Sequence, residues 1–292
     1  MIRALAILLS LLAAVALAFG AQFQNDSIEK NVDKVKGAKR GVGIANFLAL
    51  LKNPRWLGGM SFLVLGALCQ IAALTMAPLI VVQPIGALAL VITALLNARS
   101  TKTPITKATW VAISLCTGGI ATFVSLATGI AQDQSELSDA NLYVILGILA
   151  FLLVALGTVF LVQRQRMNAL TFILGAGLLY GLLATLVKSV IQRIQQSHFE
   201  WLTVICLVAA VLAMALGGWF VQNAYASGPP DLVIAGLTVI DPMVAVTIGI
   251  IVLGEAASAG PLISVVFAAS GATAALGVWL LSRVHPELKS QR

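Results

Sequence analysis

The chain has 292 residues, of which 60% are apolar and only 10% charged, with 18 Lys and Arg against 11 Asp and Glu and a net charge of +7. A soluble domain carries roughly 25% charged residues to cover its surface, so this composition excludes a soluble enzyme, a disordered chain and a nucleic-acid binder. Mean hydropathy is +1.00, and most of the basic residues lie in short stretches between apolar runs, the pattern of a polytopic membrane protein.

A bilayer core about 30 Å thick needs about 20 apolar residues per helix. In chain order the spans predicted on that rule are Ile2–Phe23, Trp56–Ala77, Leu79–Asn97, Thr109–Ala131, Leu142–Val162, Leu170–Ile191, Trp201–Ala226, Leu232–Leu253 and Pro261–Leu281. Trp56, Trp110, Tyr143, Trp201 and Trp279 stand at span ends as interfacial anchors. The first span also admits a signal-peptide reading, since Arg3 precedes an apolar run that ends in Ala18-Phe19-Gly20. Cleavage there leaves a lysine-rich segment outside, which the charge bias disfavours.

Residues 24–55 hold Lys30, Lys34, Lys36, Lys39, Arg40, Lys52 and Arg55. Later connections hold Arg99, Lys102 and Lys107, then Arg164 and Arg166, and the tail 283–292 holds Arg283, Lys289 and Arg292. These alternate connections take fifteen of the 18 basic residues, whereas the connection with Asp133, Glu136 and Asp139 is acidic. The positive-inside rule therefore predicts an N-terminus outside and a cytoplasmic C-terminus, in a cell membrane. Arg3 is a small misfit. Gly41–Leu51 is too short to span and reads as an interfacial helix within the first cytoplasmic loop.

The third and eighth spans align with each other. Gln83-Pro84 falls on Asp241-Pro242, Ala87 on Ala245 and Leu95 on Leu253, an offset of 158 residues. The first span aligns with the fifth at an offset of 141 or with the sixth at 170, where Leu8, Leu9, Leu12, Ala14 and Gln22 meet identical residues. Topology selects the second: spans one and six run oppositely, as do three and eight. The expected build is an inverted repeat of four helices (1–131), a linker helix (142–162) and four helices (169–282). Such repeats are a common build for secondary transporters, with the site near the membrane midplane where the halves meet.

Cys69, Cys116 and Cys206 are isolated in apolar runs and read as small core residues. With His198 and His285 at helix ends, no catalytic or metal-ligand spacing is visible, so no enzyme and no resident cofactor is expected. Asp241 is the strongest functional signal. It lies about ten residues into its span, about 15 Å deep at 1.5 Å per residue, where an ionisable group marks a pathway by default. That suits a cation ligand or a coupling proton. Pro84 and Pro242 each remove a backbone donor and free the carbonyls of Ile80 and Thr238. Gln83 and Asp241 are expected to meet between the halves, with Thr238 and Gln70 as neighbours. One carboxylate, an amide oxygen and carbonyls together are the groups of a cation site.

Lys188 is the basic residue inside a span, near its outer end. It reads either as snorkelling to the headgroups or as a counter-charge to Asp241 or a binder of a substrate anion, though the depth gap to Asp241 is about 10 Å. Gln222, Asn223 and Tyr225 read as interfacial anchors, and Glu255 beside Gly254 as a solvated loop acid. Gly177 and Gly181 form a small-residue step for close helix packing, with Gly118-Gly119 and Gly217-Gly218 similar in kind.

The stretch Ala77-Pro78-Leu79-Ile80-Val81-Val82-Gln83-Pro84-Ile85-Gly86-Ala87-Leu88 resembles the signature of the drug/metabolite transporter (EamA-like) superfamily. It is most similar to the branch of NIPA-type magnesium transporters, which has a like stretch, nine predicted spans, a long basic loop after the first, and a lysine near the end of the sixth, matched here by Lys188. Gly254-Glu255 resembles the superfamily's G-E at a helix end. The resemblance implies a secondary transporter working by alternating access on Mg2+ or another small cation. Asp241 departs from that branch and leaves open an exporter or flippase of a polar, amphipathic or lipid-linked metabolite. A non-transporting membrane scaffold is the remaining class. The bilayer and a small substrate are the implied partners. One chain holding both halves could act as a monomer, and a dimer is compatible.

Overall fold

The computed structural model describes residues 2–32, 54–100, 105–131, 137–163, 167–197, 199–228, 230–257 and 259–284. These form helices α1 (Ile2–Val32), α2 (Pro54–Met76), α3 (Leu79–Gly86), α4 (Leu88–Ser100), α5 (Lys107–Ile130), α6 (Asp139–Gln163), α7 (Ala169–Gln195), α8 (Trp201–Ser227), α9 (Pro230–Ile251) and α10 (Pro261–Val284). The described residues contain nine helical spans long and apolar enough to cross a membrane, with α3 and α4 together forming the third. The protein is an all-α, multi-pass membrane protein. The segment Gly41–Leu51, the acids Asp133 and Glu136 and the tail beyond Val284 lie outside the described residues.

Two spans differ from their expected form. The first helix continues past Phe23 to Val32. The third span is broken: the amide of Ala87 donates to the carbonyl of Pro84 at 3.2 Å, and α4 restarts at Leu88. Gly86 is a poor helix former, and the chain tightens there while Ala87 keeps right-handed helical angles (φ −64°, ψ −19°). Pro242, by contrast, lies inside an unbroken α9.

The helices pack in pairs, α1 on α2, α7 on α8, α5 on α10 and α7 on α9, while α3 packs against α9, α1 and α5. Glycines allow the close approaches. A Cβ on Gly119 of α5 would stand 2.5 Å from the backbone nitrogen of Ala274 on α10, and one on Gly181 of α7 would stand 2.9 Å from the carbonyl oxygen of Asp241 on α9. In a membrane such packing stands in for a hydrophobic driving force between helices. The large apolar side chains of α6, such as Phe151 and Leu161, are mostly exposed, as suits a helix wrapped by lipid.

Long-range side-chain bonds gather the helix termini at one end of the bundle, here named the Lys188 end. The Arg3 guanidinium at the start of α1 donates to the carbonyls of Thr128 and Ala131 at the end of α5, at 2.8 and 2.7 Å. Arg193 near the end of α7 pairs with Asp139 at the start of α6 (2.6 Å) and with Glu200 before α8 (3.6 Å). The opposite end carries the start of α5 and of α7 and the connections rich in Lys and Arg, and is named the loop end.

Candidate functional site

The turn between α2 and α3 begins from a local problem. A helix leaves its last carbonyls and first amides without partners, and here one helix ends two residues before the next begins. Pro78 stands at the cap position of α3 in an extended conformation, and no side-chain cap bond is made there. Pro78 O takes the amides of Val81 and Val82. The remaining groups are met from the second half of the chain. Lys188 Nζ donates to Leu74 O at 2.6 Å and to Ala77 O at 2.9 Å. Gln195 Nε2 donates to Thr75 O at 3.1 Å. The carboxylate of Glu255 accepts from the amides of Leu79 and Ile80, both at 2.9 Å.

The signs fit the helix dipoles: a cation meets the carbonyl end of α2 and an anion the amide end of α3. Lys188 is 5% exposed and Glu255 3%. Two expectations are thereby corrected. Glu255 is a buried cap rather than a solvated loop acid, because the residues around it turn it inward. Gly254 adopts φ 64°, and the Glu255 amide reaches back to Gly249 O at 3.0 Å. Gly249 leaves room for the carboxylate, since a Cβ there would stand 2.7 Å from Glu255 Oε2. Lys188 does not snorkel to the headgroups, because the carbonyls of Leu74 and Ala77 hold its ammonium inside the protein.

Below this turn lies a cavity of about 80 Å³ bounded by α3, α5, α9 and α10, with Pro84, Phe123, Thr238, Pro242 and Ala275 in its wall. The structure thus brings together Pro84, Thr238 and Pro242. Its lining is apolar apart from Thr238, whose hydroxyl is turned back onto Ile234 O at 2.7 Å. Gln83 is buried on α3 and Gln70 is half-buried on α2, and neither belongs to the cavity lining.

Asp241 also lies outside that lining. It is partly buried beside α7, where Gly177 and Gly181 admit the α9 backbone. Its Oδ1 is a buried oxygen without a hydrogen-bond partner among the described residues. A buried acceptor left unmet is costly, so this oxygen is a place for a donor or a cation. No group of three or more His, Cys, Asp or Glu able to hold a metal occurs among the described residues. A cation here would keep most of its own water.

Sequence reasoning missed Arg193, which falls beyond the predicted end of the sixth span yet is 4% exposed. The available signal was the spacing of Arg193 from Leu182, Leu186 and Val190, which continues the buried face of that helix. It missed the role of Glu255 because the amides it caps lie 175 and 176 residues away in the chain.

The chain is 26% identical over 255 residues to an uncharacterized protein of Corynebacterium glutamicum, covering 86% of this chain and 85% of that one. It is 24% identical over 224 residues to the probable magnesium transporter NIPA9 of Arabidopsis thaliana, covering 73% of this chain and 64% of the plant protein. No solved structure matches. The family described as Magnesium transporter NIPA matches residues 3–198, about two thirds of the chain and the whole region from α1 through the Lys188 segment, so this protein belongs to the NIPA magnesium transporter family.

Proposed function

We propose that the protein is a secondary transporter that moves Mg2+ across a cell membrane by alternating access between two inverted halves. Residues 1–131 and 169–282 are the halves and the helix at 142–162 is their linker. Packing supports this division: α1 lies on α2 as α7 lies on α8, and α5 meets α10 where the halves join. The N-terminus is outside and the C-terminus cytoplasmic, by the placement of the basic connections, which makes the Lys188 end the outer one.

The observation that carries the reading is the buried, unmet Oδ1 of Asp241 in a chain of this family. A single carboxylate suits a largely hydrated Mg2+, an ion that gives up its waters reluctantly. Gln83, Gln70, Pro84, Thr238 and Pro242 line or flank the route between the halves. The apolar cavity at Pro84 and Pro242 favours a second reading, an amphipathic or lipid-linked substrate whose apolar part lies there.

The test is Mg2+ uptake into proteoliposomes, with thermal unfolding in detergent as Mg2+, Ca2+ and Na+ are titrated, for wild type and Asp241→Asn. A ligand that binds only the folded state raises the midpoint as its concentration passes Kd. The expected result is a rise with Mg2+ and measurable uptake for wild type, both lost in a folded Asp241→Asn. Full retention of both in the variant removes Asp241 from the path. Absence of both from wild type removes Mg2+. A partner that co-purifies with an indifferent Asp241→Asn identifies a scaffold.

A further inference from the structure

We propose that α3 (Leu79–Gly86) is a gate: a short lever latched at the Lys188 end by Lys188 and Glu255, hinged at Ala87, and closing the cavity at Pro84 from that side. The inference rests on the transport reading for its purpose and on the geometry alone for its form.

The lever is one rigid piece. Eight residues of α-helix span about 12 Å, enough to reach from the latch to the cavity wall. At its start, Leu79 N and Ile80 N are held by Glu255. Just before it, Ala77 O is held by Lys188. One turn further on, Pro84 forms part of the cavity wall. At its far end the helix is interrupted between Gly86 and Leu88. A helix fixed at one end by a few exchangeable hydrogen bonds and interrupted at the other can move as a piece once those bonds are released, provided its buried side chains Leu79–Val82 and Ile85 repack against α1, α5 and α9.

The latch also has the properties of a switch rather than of a core contact. Both side chains belong to the second half, and both grip backbone groups of the first half, so the bonds must part if the halves separate at this end. The groups released are two carbonyls and two amides, which water can satisfy as the end opens. Gly249 clears the space that the Glu255 carboxylate occupies. At the offsets that relate the halves, the loop-end counterpart of Lys188 is Ala18 and that of Glu255 is Asn97. Neither counterpart position carries a charge, so the charged latch is not repeated at those positions of the loop end, which lets the two ends open under different conditions.

The experiment measures access to the cavity in the intact protein. Ala275→Cys in its wall reports labelling by a membrane-impermeant thiol reagent, in a chain whose three natural cysteines are changed to Ala. Reagent is applied to each face of sealed vesicles in turn, and Phe199→Cys, an exposed position near the end of α7, marks which face is the Lys188 end. Glu255→Gln and Lys188→Met are expected to speed labelling from that face about tenfold or more, the scale of losing a hydrogen bond to a charged group. Labelling from the other face stays within about twofold, well below the change expected for one such bond. Lys188→Arg, which keeps the charge and the donors, restores slow labelling. Unchanged rates in folded variants overturn the gate. So does equal acceleration from both faces, which marks general loosening, and so does failure of both Glu255→Gln and Lys188→Met to fold, which makes the contacts part of the scaffold. The labelling needs no substrate, so a wild type that is gated but moves no Mg2+ defeats the Mg2+ reading and leaves this one standing.

Discussion

The two ends of the bundle solve the same problem by different means. At the loop end, helix starts are capped by their own neighbours. Thr106 accepts from the amide of Thr109 at 3.2 Å, and Asn168 accepts from both the amide and the hydroxyl of Thr171 at 3.0 Å. At the Lys188 end Ser138 accepts locally from the amide of Ala140 at 3.2 Å, but four further side chains cap from remote parts of the chain: Lys188 and Gln195 serve α2, Glu255 serves α3, and Arg3 serves the end of α5. A local cap stabilises one helix wherever that helix goes. A remote cap ties two helices together and is lost when they part. The first suits a unit that moves as a body, and the second suits a junction whose opening is controlled.

The comparison ranks the expected effects of breaking each contact. The largest belongs to Glu255→Ala, which removes two charge-assisted bonds at once and leaves two buried amides unmet. Its cost is about 3 kcal/mol, read as the largest fall in thermal midpoint in detergent among the single variants named here. A cost near that of an ordinary surface change would show that water already reaches the amides of Leu79 and Ile80.

Arg193→Met comes next, at about 2 kcal/mol. Its guanidinium is buried, but Asp139 and Glu200 are 54% and 55% exposed and stay solvated when it is gone. The loss is thus smaller than that of stranding a buried charge. Added salt lowers the wild-type midpoint little if the pair is as sheltered as the burial of Arg193 indicates. A steep salt dependence contradicts that geometry and moves the pair to the surface.

The same contrast explains what was legible in the sequence. Span number, the interfacial aromatics and the offset between Gln83-Pro84 and Asp241-Pro242 are all local patterns, readable from period and spacing. Local caps are legible too, since Thr106 and Asn168 each precede a helix by one residue. The break at Ala87 was foreshadowed by Pro84 and Gly86 but not placed, because Pro242 in the aligned position leaves α9 unbroken. What stayed hidden was the partner of each buried charge. The side chains of Lys188 and Glu255 bond to backbone groups, which every residue carries, so no residue type at 74–80 announces them. The candidate site shows the same limit: Pro84, Thr238 and Pro242 converge on one cavity, whereas Asp241, on the same helix as Thr238 and Pro242, takes the opposite neighbourhood beside Gly177 and Gly181.

The smallest effect is the sharpest control on the comparison. Asn168→Ala removes one side-chain cap from the start of α7, a change worth about 1 kcal/mol. It leaves Lys188, Arg193 and Gln195 at the far end of the same helix untouched, with the whole length of α7 between them. Sites so far apart and sharing no partner add independently. The double variant Asn168→Ala with Glu255→Ala is therefore expected to lose the sum of the two single costs. Access to the cavity from the Lys188 end is expected to respond to Glu255→Ala alone. If Asn168→Ala also opens that end, α7 transmits a change over its full length, and the local caps are part of the same device as the remote ones.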